Sequence, residues 1–334
     1  MAIGYWLLAI GYWLLAIENN MNFRTNIKLQ KERNQIDYNS NLLLIGSCFS
    51  ENISEKLNYF KFNTFSNPLG ILFNPVAIEN LLTNAINEKK YTEKDIFQLN
   101  ERWHCFDAHS DVSSSDKDEL LGNLNIKIKS THQQIITSTH LIITLGTAWV
   151  YRFIESDNVV GNCHKVPQKK FLKELLSVNE ITASLENMCT LVKDLNPSIH
   201  IVFTVSPVRH LKDGFVENAQ SKAHLLAAIH QIVDKRNQLY YFPSYEIMLD
   251  DLRDYRFYNP DMLHPNETAI QYIWKHFLEV WIDEKSVSVM KEVATIQKGL
   301  AHKPFNPKSQ QHQKFLLDLE QKITSLKNNY TINF

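Results

Sequence analysis

Five short apolar runs punctuate the chain, at residues 42–45, 62–65, 141–145, 201–205 and 239–242. None alternates apolar with polar positions. Continuous runs of this length suit strands covered on both faces, as in a parallel sheet. Between them the period becomes helical. A helix over 51–59 is predicted to follow the first strand. Asn74-Pro75 sets an N-cap residue before a proline at the first helical position, which predicts a helix reaching about residue 86. Ile181, Leu185, Met188, Leu191, Val192 and Leu195 recur at helical spacing until Asn196-Pro197 stops them. The stretch 219–233 repeats the pattern. Another helix is expected from Pro265, with Ala269, Ile270, Ile273, Phe277 and Trp281 on its inner stripe. Strands alternating with helices predict an α/β fold: a three-layer α/β/α, doubly wound, flavodoxin-like parallel sheet. Ligands then bind beyond the carboxyl ends of the strands.

Three segments depart from this alternation. Residues 91–135 lack a clean period and hold Trp103-His104-Cys105-Phe106-Asp107-Ala108-His109, while Val159-Val160-Gly161-Asn162-Cys163-His164 follows the third strand. Both read as insertions that become lids or binding loops. Past residue 282, charged helical patterns broken by His302-Lys303-Pro304-Phe305-Asn306-Pro307 predict a helical extension over 283–334, packed on the domain or on a partner, with fraying expected over 328–334. The α/β domain is expected over 21–282. Ahead of it, AIGYWLL occurs twice in tandem, at 2–8 and 9–15. The apolar run ends near Ile17, short of the roughly 20 residues that span a bilayer. No Lys or Arg precedes it and no small-residue cleavage pattern closes it. We read 1–20 as an upstream start or artefact, with an anchor or uncleaved signal as the alternative. No membrane association is expected after Met21, and the cytoplasm is the expected location.

Composition narrows the function classes. The 334 residues are 44% hydrophobic and 21% charged, with a net charge of -1. No basic field favours nucleic acid or an anionic membrane. The four cysteines, at 48, 105, 163 and 189, make no CxxC pair. Neither a zinc site nor a disulfide framework is indicated. His104, Cys105, His109, Cys163 and His164 fit no standard zinc spacing either, so no metal is expected.

Two motifs carry chemistry. The first strand runs into Gly46-Ser47-Cys48-Phe49-Ser50, which puts two nucleophile-capable side chains at a strand end. Asp261-Met262-Leu263-His264 places a carboxylate three residues before an imidazole, just ahead of a helix. One turn lets the carboxylate accept from Nδ1–H and leaves Nε2 free to serve a nucleophile from another strand end. The other strand ends, Asn67-Pro68-Leu69-Gly70, Gly146-Thr147, Ser206-Pro207 and Pro243-Ser244, are small, polar or turn-forming, as a crevice needs.

Together these blocks resemble the GSCFA family, which is similar to SGNH or GDSL-like hydrolases. The name is spelled by Gly46-Ser47-Cys48-Phe49, with Ser50 in place of alanine. The likeness continues through Asn67–Gly70, Thr144–Arg152, Gly161–His164, Asp261–His264 and His302-Lys303-Pro304-Phe305, from about residue 25 to 325. The resemblance implies a three-layer fold, an Asp261–His264 pair and Gly70 as an oxyanion donor. In SGNH-like enzymes the third block reads Gly-x-Asn-Asp. Here it is Gly146-Thr147-Ala148-Trp149, so that asparagine is absent, and Asn162 is conjectured to replace it. Aligned without a gap to Gly-Asp-Ser, Gly46 puts Cys48 on the nucleophile. One residue of register decides which side chain enters the crevice, so Cys48 is preferred and Ser47 stays open.

The expected reaction is hydrolysis or transfer of an acyl ester by a Cys (or Ser)–His–Asp mechanism, with His264 taking the nucleophile's proton. O-acetylated carbohydrate is a guess from the wider superfamily. Trp103, His109, Trp149, Tyr151 and Arg152 are candidates to line the substrate cleft. Arg209-His210 is a weaker candidate for an anion, and Asn218 and Lys222 carry no specific signal. The scheme needs no cofactor. The expected partners are a small-molecule or glycan ester, with no nucleic acid, and a second copy of the chain through the C-terminal helices. A non-catalytic binding or assembly protein on the same scaffold is the alternative, motivated by the missing asparagine and by the extension.

Overall fold

A computed structural model describes residues 25–330, 332 and 334; the tandem repeat lies outside the described residues. The five predicted runs form one parallel sheet. Its strands are β1 (Asn41–Gly46), β2 (Asn63–Ser66), β5 (His140–Leu145), β9 (His200–Val205) and β10 (Leu239–Tyr241). The order is β10-β9-β5-β1-β2, so the chain winds outward from β1 in both directions. Alternate residues of β1 enter different cores: Leu43 and Ile45 one, Leu42 and Leu44 the other. β5 divides in the same way, Leu141, Ile143 and Leu145 against Ile142. Both faces are apolar, so the runs are continuous in sequence.

The first core lies under α2 (Pro75–Ile86), α3 (Lys117–Thr137), α4 (Val178–Leu195) and α5 (Phe215–Ile232). The second lies under α1 (Cys48–Tyr59), α6 (Glu267–Trp281), α7 (Glu284–Ala301) and α8 (Gln310–Asn329). This is the predicted three-layer α/β/α sandwich. Asn74 caps α2 as expected, its Oδ1 accepting from Ala77 N at 2.8 Å. α6 begins at Glu267 rather than Pro265, because Asn266 is the N-cap and Pro265 is held in a bridge to Tyr258.

Three features correct the sequence reading. Residues 91–135 are not irregular. They contain a hairpin, β3 (Ile96–Leu99) with β4 (Arg102–Cys105), and the 21-residue α3. The inner stripe of α3 is Leu120, Leu124, Ile128, Thr131 and Ile135, a helical spacing diluted by polar residues and Gly122. Residues after β5 form a second, antiparallel sheet, β7-β6-β8, from β6 (Trp149–Phe153), β7 (Asn158–Val160) and β8 (Phe171–Leu175). At the carboxyl end, α8 reaches Asn329 and Ile332 is buried in the second core, while 331 and 333, also in the stretch expected to fray, lie outside the described residues. Val289, Met290, Val293 and Ile296 of α7 are buried in that core too, so this helix packs on the domain. Among the described residues no helix is long and apolar enough to cross a membrane.

Candidate active site

The turn after β1 is built by one glycine. Gly46 has φ 142, and a Cβ there would stand 2.1 Å from Thr144 O on the neighbouring β5. Gly46 N donates to Asn67 Oδ1 at 2.9 Å and Ser47 N to Thr144 O at 3.0 Å. The chain is thus pinned to both neighbouring strand ends before it turns. Ser47 is fully buried, and its Oγ accepts from Phe49 N at 3.3 Å as the N-cap of α1. That cap starts the helix at Cys48, three residues earlier than predicted. Cys48 is half-buried at the first position of the helix. Burial, then the Glu51 carboxylate, push its thiol pKa up, while Lys222 and the amides of Cys48 and Phe49 pull it down. The Ser47 hydroxyl thus accepts at the helix start, and the half-buried Cys48 is the first residue of the helix.

Asp261 and His264 meet as the spacing predicts. Asp261 Oδ2 accepts from His264 Nδ1 at 2.6 Å, and Oδ1 accepts from Leu263 N at 2.9 Å and His264 N at 3.0 Å. These donors hold the Asp261 carboxyl down at about 2, the backbone amides contributing most. An ionised carboxylate only accepts, so Nδ1 carries the proton, and among the described residues Nε2 makes no hydrogen bond. The loop closes on itself through Asn259 N to His264 O at 2.8 Å. It is tied to the sheet by Arg209 N to Leu263 O at 3.2 Å, and to α1 by a Lys56–Glu267 ion pair at 2.5 Å. The pair stands at the carboxyl edge of the sheet, the edge that also carries Cys48. Among the described residues no hydrogen bond joins His264 to Cys48 or Ser47.

Two residues given little weight in the sequence, Lys222 and the anion candidate His210, lie at the same sheet edge. Lys222 is 1% exposed, and its Nζ donates to Gly146 O at 2.7 Å and Ser206 O at 2.8 Å, bridging the ends of β5 and β9. Burial drives its pKa down to about 7, with Cys48 pulling the other way. His210 lies edge-on to Phe73, ring centroids 5.4 Å apart. Its Nε2 is buried against Gly146 and has no hydrogen-bond partner among the described residues. Burial first, then Lys222 and His264, lower its pKa to about 3, so the ring is neutral. α5 supports the whole edge. Asn218 Oδ1 accepts from His210 N at 2.9 Å, and Ser221 Oγ accepts from Ala148 N at 2.7 Å. The signal was present: 218, 221, 222, 225 and 229 share one helix face, with polar residues at its amino end and apolar ones beyond.

Other predicted residues lie elsewhere. Gly70 does not offer its amide, which donates to Asn67 O at 2.8 Å inside a turn; its φ of 78 brings the backbone against His109. Asn162 Oδ1 accepts from His164 N at 2.8 Å and Ser110 Oγ at 3.3 Å, so that oxygen is committed to its own loop. Arg152 is not in a cleft but in the small sheet, its Nε 3.1 Å from a Glu174 carboxylate oxygen. His109 Nδ1 accepts from Asp111 N at 3.4 Å. His104 and His164 have both ring nitrogens occupied, by Ser113 and Leu99 O and by Ser110 and Cys105 O. Thr147, Trp149, Tyr151, Asn162 and Cys163 line a cavity of about 420 Å³ beside the small sheet. Phe73 lines it too, and so joins the cavity to His210 and Gly146. A larger concavity of about 850 Å³, between α4 and the α5–β10 connection, lies at the other end of the sheet and holds none of these residues.

A family model described as "GSCFA family" matches residues 41–277, and one described as "GSCFA domain protein, C-terminal domain" matches residues 293–334. No curated protein matches. Among solved structures, the chain is similar to an acetyl esterase mutant with acetate ion, at 9% identity and a TM-score of 0.36, over 76% of this chain and 99% of that one. It is similar to a carbohydrate esterase family 3 protein from Talaromyces cellulolyticus at 9% identity and a TM-score of 0.35, again over 76% and 99%.

Proposed function

The chain belongs to the GSCFA family, and from that premise we propose that it hydrolyses or transfers an acyl ester through a cysteine nucleophile, Cys48. The observation that carries this reading is the 2.6 Å Asp261–His264 pair at the sheet edge where Cys48 opens α1. Cys48 Sγ attacks the ester carbonyl carbon. The oxyanion is met by the Nε2–H of neutral His210 and by the Cys48 amide, those of Phe49 and Ser50 being engaged by Ser47. One such donor is worth on the order of 3 kcal/mol in a transition state. It takes the part left vacant by the missing third-block asparagine. His264, held by Asp261, takes the thiol proton as sulfur attacks and gives it to the departing alcohol, then takes one from the water or second alcohol that opens the thioester and returns it to the departing sulfur. The Trp149–Asn162 cavity, with aromatic walls, amide groups and the Lys165 and Lys212 ammoniums at its rim, suits the alcohol half, a sugar or similar polyol.

The test is turnover of p-nitrophenyl acetate and acetylated sugars, with intact-mass trapping of the acyl adduct and fragmentation to place it. An adduct on Cys48, and a loss of at least about a thousandfold in Cys48→Ala, is expected. An adduct on another residue, or full turnover in Cys48→Ala, ends the reading. A binding module on the same scaffold is favoured by one observation, the absence of a hydrogen bond between His264 and Cys48 among the described residues. It wins if no ester is turned over while sugar binding survives Cys48→Ala and His264→Ala.

A further inference from the structure

We infer that Arg209 is a specificity residue: it binds a carboxylate carried by the substrate outside the ester bond itself. The ester comes from the acyl-transfer reading, on which this inference rests, but the anion site is a property of the fold.

The two residues that follow Val208 turn to different neighbours. His210 turns to Phe73, ring centroids 5.4 Å apart, and to Gly146. Arg209 turns to the loop that carries the Asp261–His264 pair. Its guanidinium carbon lies 4.4 Å from the ring centre of Tyr258 and 5.3 Å from that of Tyr255. Those rings are 6.0 Å apart and inclined at 45°, so they make a notch rather than a flat shelf. Arg209 N donates to Leu263 O at 3.2 Å, the residue before the imidazole. Asn259 N, just after Tyr258, donates to His264 O at 2.8 Å, and Tyr258 is bridged to Pro265. The arginine is thus tied to the His264 turn twice, by main chain and by ring. In sequence it adjoins the residue offered to the oxyanion.

No carboxylate answers its charge. Arginine stays ionised in proteins, and this one is half-buried. Among the described residues it makes no ion pair. The acids of the same loop have partners of their own. Asp250 pairs with Arg253 and Asp254 with Arg256, each at 3.7 Å, and Asp261 holds His264. A guanidinium laid against aromatic rings uses its face and keeps N–H groups along its edge. That edge matches the two oxygens of a carboxylate. Tyr258 is buried, whereas Tyr255 is 60% exposed, so the notch has a floor and an open side. A stacked, oriented and unpaired guanidinium beside the catalytic pair is what recognition of a planar anion needs.

The test measures binding in full-length Cys48→Ala, where no turnover intervenes. Two charged esters are compared with their neutral counterparts. Monomethyl succinate carries its carboxylate on the acyl half and is set against dimethyl succinate. O-acetyllactate carries it on the alcohol half and is set against its methyl ester. The Arg209 Nε–H resonance, assigned by its loss in Arg209→Gln, reports the contact. At least one charged ester is expected to shift it saturably and to bind about tenfold or more tighter than its neutral counterpart. The arm that shows the preference tells which half bears the anion. The preference is expected to vanish in Arg209→Gln and to survive in Arg256→Gln, whose arginine already has Asp254. Equal binding of charged and neutral esters in both arms overturns the inference without any Arg209 variant having to fold. A preference that persists in folded Arg209→Gln overturns it too. Selective binding, with none of the four esters turned over by the unsubstituted chain, would instead refute the acyl-transfer reading and leave the anion site standing.

Discussion

Adjacent residues of the GSCFA block have different tasks because a helix starts between them. Ser47 is extended and capping; Cys48 is helical and half-buried. Ser47→Ala removes one cap hydrogen bond, so stability falls by about 0.5–2 kcal/mol. Turnover per folded molecule stays within about tenfold, since no transition-state contact is lost. Denaturant melts run beside the ester assay check both parts, and a thousandfold loss with unchanged stability would make the hydroxyl the nucleophile. Register alone left the choice between the two residues open. It was narrowed by burial and by the hydrogen bond from Phe49 N.

At the scale of elements, α5 and α7 do more than their patterns suggested. α5 braces the ends of β5 and β9 with a row of polar side chains whose partners come from loops distant in sequence. α7 contributes Val289, Met290, Val293 and Ile296 to the core that also holds Ile53, Leu57 and Trp274, and Gln297 Nε2 donates to Tyr59 O at 3.0 Å. Ile296 is fully buried. Ile296→Ala is therefore expected to cost about 2–5 kcal/mol in chemical denaturation of the full chain. A change below about 0.5 kcal/mol would mean that α7 merely hangs on the domain.

The molecule as a whole is built to lose stability in mild acid. His140 and His164 are buried and each is held down at about 4, and His210 at about 3, burial being the first cause in all three. Between about 4 and the ordinary value of 6.5 the unfolded chain binds more protons than the folded one, so stability rises with pH over that window and is lost as pH falls through it. His140 and His164 each contribute about 3 kcal/mol at most to this slope. Urea midpoints measured at pH 7.5, 6 and 4.5 should fall at each step; a flat series would show that these rings are not buried neutral. The fold beneath was largely legible, because the parallel sheet needs two apolar faces and the five runs record them directly. The Asp261–His264 pair was legible too, since three residues of one turn bring it together. α3 was hidden by polar dilution, and the small sheet by strands paired across long loops. The surroundings of Cys48 were out of sight for a different reason. Which groups face a thiol depends on where the strand ends of β1, β5 and β9 come to lie side by side. Lys222 acquires its meaning from two carbonyls 76 and 16 residues away. Local pattern determined the layers, the turn glycine and the Asp–His pair. Only packing of distant segments decided that Lys222 is buried across the ends of β5 and β9 and that His210 Nε2 is buried beside Gly146, because burial and hydrogen-bond partnership are properties of neighbours in space.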